Sequence, residues 1–145
     1  IAIAAEWHAR GDALGIAVNL SARDVRSRTL AAYVREQLGA AGLPAERVTL
    51  EITESAIMEH PEESLAVLAD LRDIGVQLAI DDFGTGYSSL AYLKRLPVTE
   101  LKIDRSFVTA LATDADDQAI VRATLDLARQ MDLQTVAEGV EDALA

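Results

Sequence analysis

The sequence predicts an α/β fold, a (β/α)8 TIM-like barrel with about five βα units present in this chain. Three observations lead there. Short apolar strands alternate with amphipathic helices at about 30-residue intervals, the rhythm of a parallel sheet with helical crossovers. Each strand carries one polar residue near its C-terminal end. The run Val76-Gln77-Leu78-Ala79-Ile80-Asp81-Asp82-Phe83-Gly84-Thr85-Gly86 takes a buried strand straight into two adjacent carboxylates and a glycine-hinged loop.

The elements follow in order. Residues Ile1 to Arg10 read as a helix without a start signal, and Ile16 to Leu20 as the first strand. Leu30, Val34 and Leu38 recur at helical spacing until Gly42 and Pro44 stop the helix. Val48 to Ile52 is the second strand. Pro61 opens a helix carrying Leu65, Leu68, Leu71 and Ile74, which Gly75 closes. The third strand ends at Asp81, and a short helix from Leu90 to Arg95 stops before Pro97. Leu101 to Ile103 is the fourth strand. Asp114, Asp116 and Asp117 suit the positive first turn of a helix that carries Ile120, Val121, Thr124, Leu125, Ala128 and Met131. Gln134 to Glu138 is the fifth strand, and Glu141 to Ala145 reads as a helix just beginning. A complete barrel takes roughly 250 residues and eight strands. The 145 residues therefore read as the middle of a barrel, a partial domain over 1–145 truncated at both ends.

Composition narrows the function. Half the residues are hydrophobic, so a packed core is expected. The net charge of −11 argues against a nucleic-acid duplex as partner, because such affinity comes from neutralising phosphates with Lys and Arg. An anionic ligand would need metal ions or a local basic group. The absence of cysteine excludes disulfides and thiolate metal sites, and it fits a cytoplasmic location. No apolar run is long enough to span a bilayer, so no direct membrane contact is expected from this segment.

Period-two alternation then sets which residues face the barrel interior. With Ile16, Val18 and Leu20 toward the helices, Asn19 points inward, and the same logic turns Glu51, Asp81 and Lys102 inward; Glu138 ends the fifth strand. Asn19, Glu51, Asp81, Asp82, Lys102 and Glu138 thus converge on the C-terminal mouth, where barrel enzymes keep their active sites. Each residue alone has an ordinary structural reading: an Asx turn at Asp81-Asp82, a backbone hydrogen bond from Asn19, strand-end charges at Glu51 and Glu138. Lys102 between apolar neighbours is harder to explain that way, since a buried lysine needs a partner. Two adjacent carboxylates raise one another's pKa unless a cation intervenes. The candidate ligands are all oxygen donors, which suits Mg²⁺ or Mn²⁺ over zinc or copper. Gly84 and Gly86 allow a sharp turn beside a ligand. His8 and His60 read as surface groups, and Trp7, Met58 and Met131 as packing.

Taken together, Asn19-Leu20-Ser21-Ala22, Glu51-Ile52-Thr53-Glu54, Asp81-Asp82-Phe83-Gly84-Thr85-Gly86, Leu101-Lys102-Ile103-Asp104 and Glu138-Gly139-Val140-Glu141 resemble the EAL-domain cyclic-di-GMP phosphodiesterases of bacteria, in that family's order and spacing. The resemblance spans essentially the whole chain. It implies a divergent (β/α)8 barrel in which Asn19, Glu51 and Asp81 bind one metal ion while Asp81, Asp82 and Glu138 serve a second, partly through water. It implies that Lys102 contacts the attacking water and the reacting phosphate, so that Lys102, Glu138 and Asp81 are the catalytic set. Glu54, read as outward in phase, matches the family's glutamate that holds the Asp81 to Tyr87 loop, which includes Gly84 and Gly86.

The implied reaction is two-metal-assisted opening of cyclic di-GMP to linear pGpG. The Glu-Ala-Leu segment that names the family is expected before residue 1, and a late glutamine after residue 145. The resemblance further implies a homodimer of the complete domain, with sensory or GGDEF-type domains available to the parent chain. Two other readings use the same barrel: a catalytically inactive cyclic-di-GMP receptor, and a regulatory EAL-like domain acting through its surface. A different metal-dependent barrel enzyme, such as one stabilising an enolate, is disfavoured by the joint motif set.

Overall fold

In the computed structural model, which describes residues 1–86 and 90–141, the chain begins with helix α1 (Ala2–Ala9) and strand β1 (Ile16–Leu20). A single 3-10 turn (Asp24–Arg26) leads to α2 (Leu30–Ala41), and another (Ala45–Arg47) leads to β2 (Val48–Thr53). Then come α3 (Glu54–Glu59), α4 (Pro61–Ile74), β3 (Gln77–Phe83) and α5 (Leu90–Leu93). The chain continues through β4 (Glu100–Ile103), α6 (Arg105–Thr109), α7 (Ala115–Gln130) and β5 (Gln134–Ala137). The five strands form one parallel sheet in sequence order, the order that a barrel wall requires.

The apolar face of this sheet meets the helices. Leu50, Ile52, Leu78, Ile80 and Leu101 alternate along the central strands and pack with Val34 and Leu38 of α2 and Val67, Leu68 and Leu71 of α4. The buried stripe of α4 runs Ser64, Val67, Leu68 and Leu71, so Leu65 and Ile74 lie at its margins, half-buried. On α7, Val121, Thr124 and Ala128 are buried, whereas Ile120 and Leu125 remain exposed. A smaller cluster joins Ile103, Val108 and Val121 beneath Phe107.

Two short helices depart from the expected rhythm. The spacing gives no helix between Val48–Ile52 and Pro61, yet Thr53 caps α3 by accepting the Ala56 amide at 3.3 Å. Asp104 likewise caps α6 through the Ser106 amide at 2.9 Å. Segments of about one turn are too short to show a 3.6-residue period. Strand β3 also outruns its expected end at Asp81, because Phe83 is buried and pairs with Ile103. The expected helix at Glu141 to Ala145 falls outside the described residues from 142 onward, and Tyr87 of the loop falls outside them too.

The inward face is unevenly covered. Asn19 and Ala17 on edge strand β1 are exposed, and so is every residue of edge strand β5. Ala79 is fully buried, its small Cβ lying between Glu51 and Glu100 in the sheet register. Among the described residues no helix is long and apolar enough to cross a membrane.

Candidate active site

Parallel pairing aligns the strand ends, and this brings the polar residues together. Glu51 of β2 is in register with Asn19 of β1 on one side and Ala79 of β3 on the other. Asp81 lies one inward step beyond Ala79, beside Thr53. Lys102 of β4 reaches across this row: its Nζ lies 2.9 Å from Glu51 Oε1, 2.9 Å from Asp81 Oδ1 and 2.6 Å from Glu138 Oε1. An ammonium has three N–H donors, and here each meets a carboxylate from a different strand or strand end. Lys102 and Glu51 are each only 8 % exposed, so this is a desolvated cluster and not a surface pair. Burial lowers the pKa of the Lys102 ammonium, but hydrogen bonds to Glu138, Glu51 and Asp81 more than offset that, and the group is held above its ordinary range.

Glu138 stands just past β5 and keeps the strand pairing, its amide donating to the Ile103 carbonyl at 3.1 Å. Gly139 then turns the chain with φ +72°, and an added Cβ there would lie 2.7 Å from Arg105 Cβ.

Simple alternation would send Asp82 to the face opposite Asp81. The structure avoids this with a register shift between Ile80 and Phe83 and a left-handed Asp82 at φ 54°, a bulge that re-aims the side chain. Carboxylate oxygens of Asp81, Asp82 and Glu138 consequently all lie within 4.8 Å of one another. Burial first, then the charges of Asp81 and Asp104, push the Asp82 carboxyl above the usual carboxylate range; a hydrogen bond to Asp104 and the charge of Glu138 add to this. A hard divalent cation would relieve that repulsion, and three clustered oxygen donors fit one.

Glu54 proves to be the first residue of α3 and buried, at 4 % exposure, where the strand phase had placed it outward. Its Oε2 accepts the Gly84 amide at 3.4 Å. Gly86 sits so close that an added Cβ would lie 2.8 Å from Glu54 Oε1. The loop itself is closed by Thr85, which donates to the Asp82 carbonyl through both its amide and its hydroxyl. Asn19 shares the inward row with Glu51 by register, though among the described residues its side chain has no hydrogen bond in the cluster.

Sequence reasoning missed two neighbours. Glu100 and Asp104 share the inward phase of Lys102, two residues before it and two after, and period two would have found both. Burial and the nearby Glu51 raise the Glu100 carboxyl, while Lys102 opposes this. Asp104 also accepts from the Ser106 hydroxyl, and its own carboxyl is lowered by these contacts to Ser106.

Parallel strands in sequence order, covered by helices and carrying an acidic cluster around one lysine at their C-terminal ends, place the chain in the α/β class with the sheet order of a barrel wall. Within that class the chain belongs to the EAL domain family, whose model matches residues 1–144. It is 52% identical over 126 residues to the bifunctional diguanylate cyclase/cyclic di-GMP phosphodiesterase MucR of Pseudomonas aeruginosa, a match covering 87% of this chain and 18% of that protein. It superposes on the PaMucR phosphodiesterase in complex with c-di-GMP with a TM-score of 0.90 at 49% identity, covering 97% of this chain and 57% of that one. The EAL domain of Mycobacterium smegmatis DcpA matches with a TM-score of 0.91 at 43% identity, over 99% of this chain and 65% of that chain. The chain thus spans about a fifth of the length of the curated relatives it matches, for example 17% of one and 20% of another.

Proposed function

We propose that this chain is the central part of a cyclic-di-GMP phosphodiesterase domain, and that its open sheet edges at β1 and β5 are covered by further strands in the complete protein. The observation that carries the reading is the convergence of Glu51, Asp81 and Glu138 on Lys102 Nζ at 2.6–2.9 Å. Membership of the EAL family and likeness to a phosphodiesterase complexed with c-di-GMP support the choice of substrate.

In this reading Asn19, Glu51, Asp81, Asp82 and Glu138 are the residues that would hold two Mg²⁺ or Mn²⁺ ions, Asp81, Asp82 and Glu138 being the ones whose carboxylates cluster. The chemistry such cations supply when bound is a water of lowered pKa and neutralised phosphate charge. The chain's own groups do the rest. Asp81 accepts the Asp82 amide at 3.2 Å, which ties the carboxylate to the backbone of the next residue. Lys102 directs its ammonium toward the phosphate oxygens as negative charge builds there, an electrostatic role that a buried, preorganised cation performs better than a solvated one. In the metal-free structure Glu138 holds that ammonium from one side and Glu51 from the other. Glu54 anchors the loop that follows Asp82, so the two aspartates keep their aim. In the balanced step, the water oxygen bonds to phosphorus as the P–O3′ bond breaks, and one proton lost by the water ends on the ribose oxygen, which leaves as a hydroxyl and gives linear pGpG.

The test is turnover by the full-length protein, with cyclic di-GMP loss and pGpG appearance followed chromatographically in Mg²⁺ or Mn²⁺ and in chelator. Metal-dependent appearance of pGpG supports the enzyme. Binding of cyclic di-GMP without any pGpG would instead establish the receptor reading.

A further inference from the structure

We infer that Lys102 is an internal counter-cation that competes with divalent cations for the carboxylates around it, so that cation binding releases its ammonium toward a ligand's phosphate. This rests on the metal-dependent reading proposed above. The geometry is that of a filled coordination shell: three N–H donors, three carboxylate oxygens, at 2.9, 2.9 and 2.6 Å. Asp81 and Glu138, two of those three partners, also belong to the group whose oxygens cluster within 4.8 Å. An ammonium and a divalent ion therefore draw on the same lone pairs.

Charge makes the competition direct. Around Lys102 stand Glu51, Asp81 and Glu138, with Asp82 alongside Asp81, Glu100 beneath and Asp104 beyond. Among the described residues, Lys102 is the one Lys or Arg paired with Glu51, Asp81 or Glu138. Its burial removes the water that would screen it from an arriving cation. A unit positive charge a few ångströms from a divalent ion opposes its binding, and linkage makes the effect mutual: whatever Lys102 costs the cation, the cation costs the Lys102 ion pairs. The ordering that follows is cation first, phosphate second, because only a displaced ammonium has donors free for phosphate oxygens.

The test uses Mn²⁺ alone, titrated calorimetrically into the full-length protein and its Lys102→Met, Lys102→Gln and Lys102→Arg variants, with thermal midpoints measured with and without Mn²⁺. The two neutral variants should bind Mn²⁺ at least about tenfold more tightly than the parent, with Lys102→Arg close to the parent, since removing a buried charge beside a divalent site removes a direct repulsion. Their midpoints without Mn²⁺ should fall, and saturating Mn²⁺ should raise them more than it raises the parent's. Neutral variants that unfold without Mn²⁺ but fold with it would support the same conclusion. Unchanged or weaker Mn²⁺ binding by folded neutral variants would overturn the inference while leaving the metal site in place. Neutral variants unfolded at every Mn²⁺ concentration would overturn it as well. A parent that binds no Mn²⁺ would remove both the inference and the metal-dependent reading beneath it.

Discussion

Replacing Gly139 with alanine should unfasten Glu138 from the site at a cost that the local geometry sets. Gly139 holds φ +72°, where an L-residue is disfavoured by about 1–2 kcal/mol. The new Cβ would also lie 2.7 Å from Arg105 Cβ and 3.4 Å from Arg105 Cα, atoms fixed by the first turn of α6. Relieving such an overlap costs about 1–3 kcal/mol more, as overpacking does elsewhere. The expected destabilisation is therefore about 2–5 kcal/mol, a large share of a domain stability of about 5–15 kcal/mol. Gly42→Ala is the control: its φ is +61° and nothing lies within 4 Å of the added Cβ, so it should show the strain alone. Urea unfolding of parent and variants measures the difference, and Mn²⁺ titration reads the displacement of Glu138. Equal losses at the two positions, or a Gly139→Ala loss under about 1 kcal/mol, would refute the overlap argument.

Other substitutions test separate parts of the account. Asp81→Asn should impair Mn²⁺- or Mg²⁺-dependent hydrolysis more than Asp82→Asn, since Asp81 touches Lys102 and belongs to the clustered carboxylates; near-parental rates for Asp81→Asn would contradict its shared position. Glu54→Ala should speed amide exchange at Gly84 and lower turnover, and unchanged exchange across Phe83 to Gly86 would show that the Glu54 contact does not hold the loop. Leu71→Ala empties a fully buried position between α4 and the sheet and should destabilise the chain by about 2–5 kcal/mol in urea unfolding, with no change in metal affinity once folded.

The strands and long helices were legible because burial imposes a period. Leu50 and Ile52, or Leu78 and Ile80, alternate with inward residues, and the same phase that buries them points Glu51 and Asp81 at Lys102. What alternation could not give was Asp82. Its arrival beside Asp81 depends on a bulge and a left-handed φ of 54°, and nothing in a two-residue period announces a break in that period. Helices α3 and α6 are not legible for a different reason: each is about one turn long, too short to show a 3.6-residue period, and each is marked only by its cap, Thr53 or Asp104. Glu54 was misplaced by the same omission, since a residue that begins a helix no longer follows the strand's phase. Glu100 and Asp104 are legible by the same two-residue period, since each stands two residues from Lys102.

The most direct test of the central claim is turnover of cyclic di-GMP by the full-length protein and its Lys102→Met variant, each assayed with Mn²⁺ and with chelator. The account predicts metal-dependent formation of pGpG by the parent and a loss of about 10²–10³-fold in turnover by the variant, the effect of removing one preorganised electrostatic group. Bound Mn²⁺ should be retained by the variant. Parental turnover by Lys102→Met, or pGpG formation by the parent that persists undiminished in chelator, would contradict it.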